Sequence, residues 1–334
     1  MTNNEKKYQQ EQHEQVRQAQ QKNELAVAGF KKASNADEYR IALEQVDVLK
    51  DPEDIKKGAA LLQDKHVDVG LRVLALQKIG QSIAENPAYI NLCLAILSDT
   101  DEPQVLRMAV FTFFQVLSFF SRTFKANRSE YMTLLRSLLD DPDNELRTMA
   151  AEQLAKQKDE YVQRRLMDGL TGKGKAIVAP AKAIQFLAYD LHAEHFPVVR
   201  DLLQNTQDEG TKIEAIHVLA GDPQSKNLLV DLMLDKAQPK EVRVSSVFAV
   251  QSAHPDEFLR IAKPVVLDES EDDDVRVASL NALEHNKDAL YSDKQFAERV
   301  SAISASTKSA KLKKMSLRYL DNTGRPDKNR PDEK

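Results

Sequence analysis

Apolar residues recur along the chain at three- and four-residue spacing, and the pattern is plainest between Glu271 and His285, EDDDVRVASLNALEH. An acidic turn, Asp272 to Asp274, leads into Val275 and Arg276 and then into Ala278, Leu280, Ala282 and Leu283. Carboxylates cap a helix start and favour its positive end, while the apolar spacing gives the helix one face to bury. The stretch predicts one helix of a hairpin. In the same way EYRIALEQVDVL, which follows Ser34, Asn35 and Asp37, sets Tyr39, Ala42, Leu43, Val46 and Leu49 along one face. Asp51, Asn86, Asp141, Asp222 and His254 are each followed by proline. Proline suits the first helical turn, where its missing N–H has no partner to lose, so each of these sites predicts a helix start. Pro264, inside FLRIAKPVVLD, predicts a bend, because it removes one helical hydrogen bond.

The unit repeats. A basic residue followed seven positions later by an apolar one occurs as Arg72 with Ile79, Arg107 with Phe114, Arg147 with Leu154, Lys212 with Leu219, Arg243 with Val250, Arg276 with Leu283 and Lys313 with Leu320. Pro180 with Leu187 fills the gap between residues 147 and 212, without the basic residue. Successive anchors at 72, 107, 147, 180, 212, 243, 276 and 313 lie 31 to 40 residues apart. Two helices per period of that length predict a helical solenoid, which grows without adding separate cores.

The units DDDVRVASLNAL from Asp272, EVRVSSVFAV from Glu241, DPDNELRTMAAEQL from Asp141 and HVDVGLRVLALQKI from His66 resemble the HEAT-repeat family. They resemble more closely the short bacterial HEAT-like repeats also found in phycobilisome lyases. The resemblance covers residues 37 to 321, and is weak over 173–189 and 306–320. It implies an all-α fold, a right-handed α-solenoid of about eight helical hairpins, and a scaffold that holds other macromolecules. The expected organisation is a polar Gln/Glu/Lys-rich arm over residues 1–24, a solenoid over 25–321 and a disordered tail over 322–334. Packing is expected to begin near Leu25, because the seven glutamines between Gln9 and Gln21 can bury little.

Composition narrows the function classes. A net charge of -5 and a pI near 5.9 disfavour a dedicated nucleic-acid binder, which carries a basic face. The chain has no tryptophan. With its acidic balance, that disfavours a HEAT-like DNA glycosylase, which needs aromatic and acidic residues in a basic groove. No apolar run is long enough to span a bilayer, and no hydrophobic leader stands at the amino terminus, so a cytoplasmic location is expected; an exported or lipid-anchored protein is the alternative if a leader has been removed. Cys93, in AYINLCLAIL, is expected to pack as a small hydrophobe.

Candidate chemistry is sparse. Arg72, Arg107, Arg147, Arg243 and Arg276 are expected to form a structural ladder, each reaching acidic or carbonyl groups of the adjacent turn. FTFFQVLSFFSRTF, residues 111–124, holds six of the 12 phenylalanines. Phe113, Leu117, Phe120 and Phe124 are expected to share a face that packs in the core. Phe111 and Phe119 fall off that face and are candidates for partner contact. GLTGKGK, residues 169–175, lacks the Walker spacing, yet Lys173 and Lys175 lie in the most basic internal region and are candidates for an acidic partner. Asp190, His192, Glu194 and His195 cluster without the spacing of a zinc site. DESEDDD, residues 268–274, has six acids in seven positions but not the loop spacing of a calcium site, and reads as a turn and helix cap. The last helix is basic through Lys308, Lys311, Lys313, Lys314 and Arg318. The expected function is a noncatalytic protein- or peptide-binding scaffold with no cofactor and no metal, a chaperone- or lyase-like helper being the alternative.

Overall fold

A computed structural model describes residues 3–120, 124–285 and 293–323; the side chains of 3–7, 9–12, 118–120 and 323 lie outside the description. The described residues form eighteen α-helices and three short 3-10 turns, with no strand. The chain divides into two compact units, Met1–Gln157 and Lys158–Lys334.

The first unit contains α1 (Asn3–Lys32), α2 (Ala36–Gln45), α3 (Pro52–Gln63), α4 (Val69–Glu85), α5 (Pro87–Ser98), α6 (Gln104–Phe120), α7 (Phe124–Ser137) and α8 (Asn144–Lys156). Antiparallel neighbours pair as α1/α2, α3/α4, α5/α6 and α7/α8, and the second helices stack from α2 to α4 to α6. The second unit contains α9 (Glu160–Leu170), α10 (Pro180–Leu187), α11 (His195–Asn205), α12 (Glu209–Leu219), α13 (Lys226–Leu234), α14 (Lys240–Ala253), α15 (Pro255–Leu267), α16 (Asp273–Glu284), α17 (Lys294–Ser306) and α18 (Ala310–Thr323). Here α10, α12, α14, α16 and α18 form an unbroken layer, each packed on the next.

All eight repeat anchors fall in the first turn of a second helix; seven are its fourth residue, and Pro180 is the first residue of α10. The apolar partner seven residues on is buried in seven of them, from Ile79 to Leu283, and Leu320 is half-buried. Seven residues is close to two turns, so both positions face the same side. Asparagine or aspartate caps open half of the eighteen described α-helices: Asn35, Asp51, Asp68, Asn86, Asp143, Asp159, Asp208, Asp272 and Asp293 each accept a backbone N–H of the first turn.

Several boundaries differ from the sequence reading. Residues 13–22 of α1 are exposed, but the helix runs unbroken through position 24 into the packed part. Contact starts at Asn23, whose side chain accepts the Asp47 N–H, and at Ala26 and Phe30; Leu25 is 69% exposed. Val46 and Leu49 are buried yet lie beyond the end of α2, on extended backbone that leads to Pro52. Asp141 does not cap α8; Asp143 does, accepting the Glu145 and Leu146 N–H groups. His254 stands at the start of α15 without a side-chain cap bond. Pro264 sits inside α15, on its exposed side. Residues 322 and 323 are helical, and the rest of the expected tail, 324–334, lies outside the described residues.

Close approach explains one glycine. A Cβ on the buried Gly58 of α3 would stand 2.7 Å from Cγ2 of Ile79 on α4, so only hydrogen fits where these helices meet.

Candidate interaction surface

A helix leaves its last carbonyls without intrahelical donors. In four hairpins an arginine from the second helix takes one up. Nε of Arg72 donates to the Leu62 carbonyl (2.9 Å), Arg107 to Leu97 (3.1 Å), Arg243 to Met233 (3.0 Å) and Arg276 to Val266 (3.0 Å). In three of these the other end of the guanidinium reaches a carboxylate in the turn of the next hairpin. Arg72 grips Glu102 in a fork at 2.6 and 2.9 Å, Arg243 grips Glu271 at 2.5 and 2.6 Å, and Arg107 grips Asp141. All six side chains are buried. Planar forks of this kind match carboxylate geometry, and each one ties a hairpin to its successor.

The other anchors depart from that scheme. Arg147 is half-buried and stays in its own turn, donating to the Asp141 and Pro142 carbonyls and to Asn144. Arg276 pairs with Asp273 on its own helix at 3.3 Å. Lys212 donates to Gln238, and Lys313 is exposed without a partner among the described residues. At the first hairpin Lys57 does the arginine's work, donating to the carbonyls of Phe30, Lys31 and Ala33 at 3.1 Å each and lying over the rings of Phe30 and Tyr39. Sequence reasoning did not single out Glu102, Glu271 or Lys57. The available signal was spacing, since each gripped acid follows its arginine by 28 to 34 residues, one repeat on.

The DESEDDD run resolves into separate roles. Asp268 takes Lys236 and Ser270, Glu271 takes Arg243, Asp272 caps α16 and Asp273 takes Arg276. Asp274 accepts from Lys240 at 3.0 Å and Lys311 at 2.8 Å. Hydrogen bonds from Lys311 and Lys240 hold the Asp274 carboxyl below the usual carboxylate range. At Glu271 burial works to raise the carboxyl, but the bonds from Arg243 and the Asp272 N–H outweigh it and hold the group low.

The structure corrects the aromatic candidates. Phe111 is fully buried, so it is not available for partner contact. The buried face of α6 runs through Leu106, Val110, Phe114 and Leu117, and Phe111 lies beside it because α4, α5 and α7 all pack on α6. Phe113, expected on that face, is half-buried near Gly80. Phe114, Phe124 and Tyr131 form a buried ring cluster with centroids 5.2 to 5.7 Å apart. The side chains of Phe119 and Phe120 lie outside the described residues.

Lys173 and Lys175 are exposed in the turn after α9 and make no ion pair among the described residues. That turn is shaped by Gly172, at φ 71°, and by the Gly174 N–H donating to the Asp168 carbonyl. Around Asp190, Nε2 of His192 stands 3.2 Å from Oδ2 of Asp190, and the buried His195 accepts the His192 N–H through Nδ1. Burial and the neighbouring His192 push the His195 imidazole down. Among the described residues no three His, Cys, Asp or Glu side chains are grouped to hold a metal ion. Cys93 is buried in α5, and burial pushes its thiol up to about 12.

The second-helix layer of the second unit carries an open groove of about 820 Å³. On α14 it is lined by Glu241, Val244, Ser245 and Phe248, and on α16 by Asp274, Val277, Ala278 and Asn281. These are the same helical positions one repeat apart, spaced i, i+3, i+4 and i+7, so they share a face by geometry. Lys311, Met315 and Arg318 of α18 close one side. Phe248 is 41% exposed, although a buried position would be the ordinary place for its ring. A second hollow, of about 620 Å³, shares Arg318 and adds Lys313, Lys314 and Leu317. Leu317 is 48% exposed. None of the groove's apolar residues belongs to the sequence candidates.

No protein-family model matches this chain, and no curated protein matches it in sequence. Among the described residues no helix is long and apolar enough to cross a membrane. The fold and surface define an all-α protein of packed helical hairpins with an apolar, charge-rimmed groove on one helical layer.

Proposed function

We propose that the chain is a noncatalytic scaffold that binds a protein or peptide, each unit being a run of right-handed α-solenoid made of HEAT-like hairpins. The observation that carries this reading is the repeated arginine joint, in which one side chain closes its own hairpin and grips the next. A joint of that kind makes stability a sum of neighbour interactions and leaves the faces of the second helices free to vary for binding. It also supports a structural role for the Asp–Arg and Glu–Arg pairs, because both partners are buried and fully engaged. The open groove on α14, α16 and α18 offers aromatic and aliphatic contact of the sort that anchors protein interfaces.

Affinity capture of the tagged full-length chain from cells that make it, with mass spectrometry and an ultraviolet ratio for nucleic acid, tests the reading. One protein recovered in near-equal amount is the expected result. Nucleic acid held at high salt with no protein partner would overturn it.

A further inference from the structure

We propose that the groove across α14, α16 and α18 takes an acidic segment of a partner protein, with bulky apolar side chains seated on Phe248 and carboxylates placed against the basic edge of α18. The proposal rests on the scaffold reading and names the binding face and the chemistry of its occupant.

Charge selects the occupant. The protein is acidic, with a net charge of -5, yet the two hollows that share Arg318 carry five cations on their walls against three carboxylates. The cations are also incompletely neutralised. Lys240 and Lys311 share Asp274, with Glu241 3.8 Å from Lys240, and Arg318 donates to Glu284 at 3.0 Å, so the unpaired positive charge is that of Lys313 and Lys314, which have no partner among the described residues. A positive margin on an acidic protein attracts anionic segments and repels basic ones, which favours encounter in one sense of charge. Nucleic acid fits less well, since Glu241, Asp274 and Asp321 stand among the cations.

Shape selects an anchored segment rather than a diffuse polyanion. The groove floor is Val244, Val277, Ala278 and Met315, and Phe248 projects from it. Leu317 stands exposed in the next hollow. A volume of about 820 Å³ accommodates more than one large side chain. Apolar contact of this kind supplies affinity, while the surrounding charges supply orientation and sign.

The test is fluorescence anisotropy of the full chain with three labelled synthetic peptides. In the first, glutamates flank phenylalanine and leucine anchors at helical spacing. In the second, lysine replaces every glutamate. In the third, the acids stay and alanine replaces the anchors. The first peptide alone is expected to bind, more weakly as salt rises, and the K313E/K314E variant should lose about tenfold in affinity with unchanged melting. F248S, in the groove itself, should lose a similar factor. Equal binding of the acidic and basic peptides, binding unaffected by both variants, or no binding of the anchored acidic peptide would each overturn the proposal. So would tighter binding of labelled single-stranded DNA, or concentration-dependent dimerisation in sedimentation that K313E/K314E abolishes. The scaffold reading has its own readout: a captured partner retained equally by wild type and by K313E/K314E sinks the groove and leaves the scaffold, whereas capture of no partner by either sinks the scaffold.

Discussion

Replacing Arg243 by alanine tests the joint between hairpins. The guanidinium is buried with Glu271, to which it gives bonds of 2.5 and 2.6 Å, and its Nε supplies the Met233 carbonyl at 3.0 Å. Without it the Glu271 carboxylate keeps only the Asp272 N–H, at 2.7 Å, and stands in a space too enclosed for ready hydration. Removing one partner of a buried ion pair costs about 3–5 kcal/mol, and for a unit of this length that lowers its melting temperature by roughly 6–20 °C. The double variant R243M/E271L should recover most of the loss, because hydrophobic replacement of both partners leaves no stranded charge. Differential scanning calorimetry together with helical circular dichroism measures all three proteins, and the single variants R243M and E271L complete a double-mutant cycle that gives the coupling. The sign of the pH dependence follows from Glu271. Its folded carboxyl lies below the ordinary value of 4.5, so the stabilisation is complete above that value and disappears as pH falls through the folded range. The gap between wild type and E271Q should therefore narrow in acid. If R243A and E271Q each melt within about 1 kcal/mol of wild type, or if the gap widens in acid, the joint does not hold the hairpins together.

Three further outcomes are expected. G58A should destabilise the first unit although alanine is the better helix former by about 1 kcal/mol, because its Cβ would press on Ile79; a rise in melting temperature would show that α3 and α4 can separate at little cost. F111A should cost about 3–5 kcal/mol through the cavity it leaves, whereas K173E/K175E should leave melting unchanged, a contrast that calorimetry reads directly and that equal shifts would refute. Cys93 should resist a thiol reagent in the native protein at neutral pH and react on denaturation, since its thiol is buried and pushed up to about 12; rapid native labelling would show that α5 opens readily.

The amino-acid sequence by itself determined that the protein is helical, where several of its helices start and the eight anchor positions, because apolar periodicity, caps and prolines act within a few residues of where they stand, but it did not show that α1 begins within the polar arm. It also marked the arginines, through their recurrence. What it left open was direction. The FTFF stretch has apolar residues over most of its circumference, so periodicity could not tell that α4, α5 and α7 would enclose Phe111. The acidic run could not say that Glu271 turns inward while Asp272 caps and Asp274 bridges two lysines, since neighbouring carboxylates are chemically equivalent until packing separates them. Only the tertiary structure decided the groove. Phe248 carries no mark along the chain that separates it from the core positions around it, and it is the stacking of α14, α16 and α18 that leaves its ring exposed above the partly buried Val277 and the buried Met315, beside the cations of the last described helix.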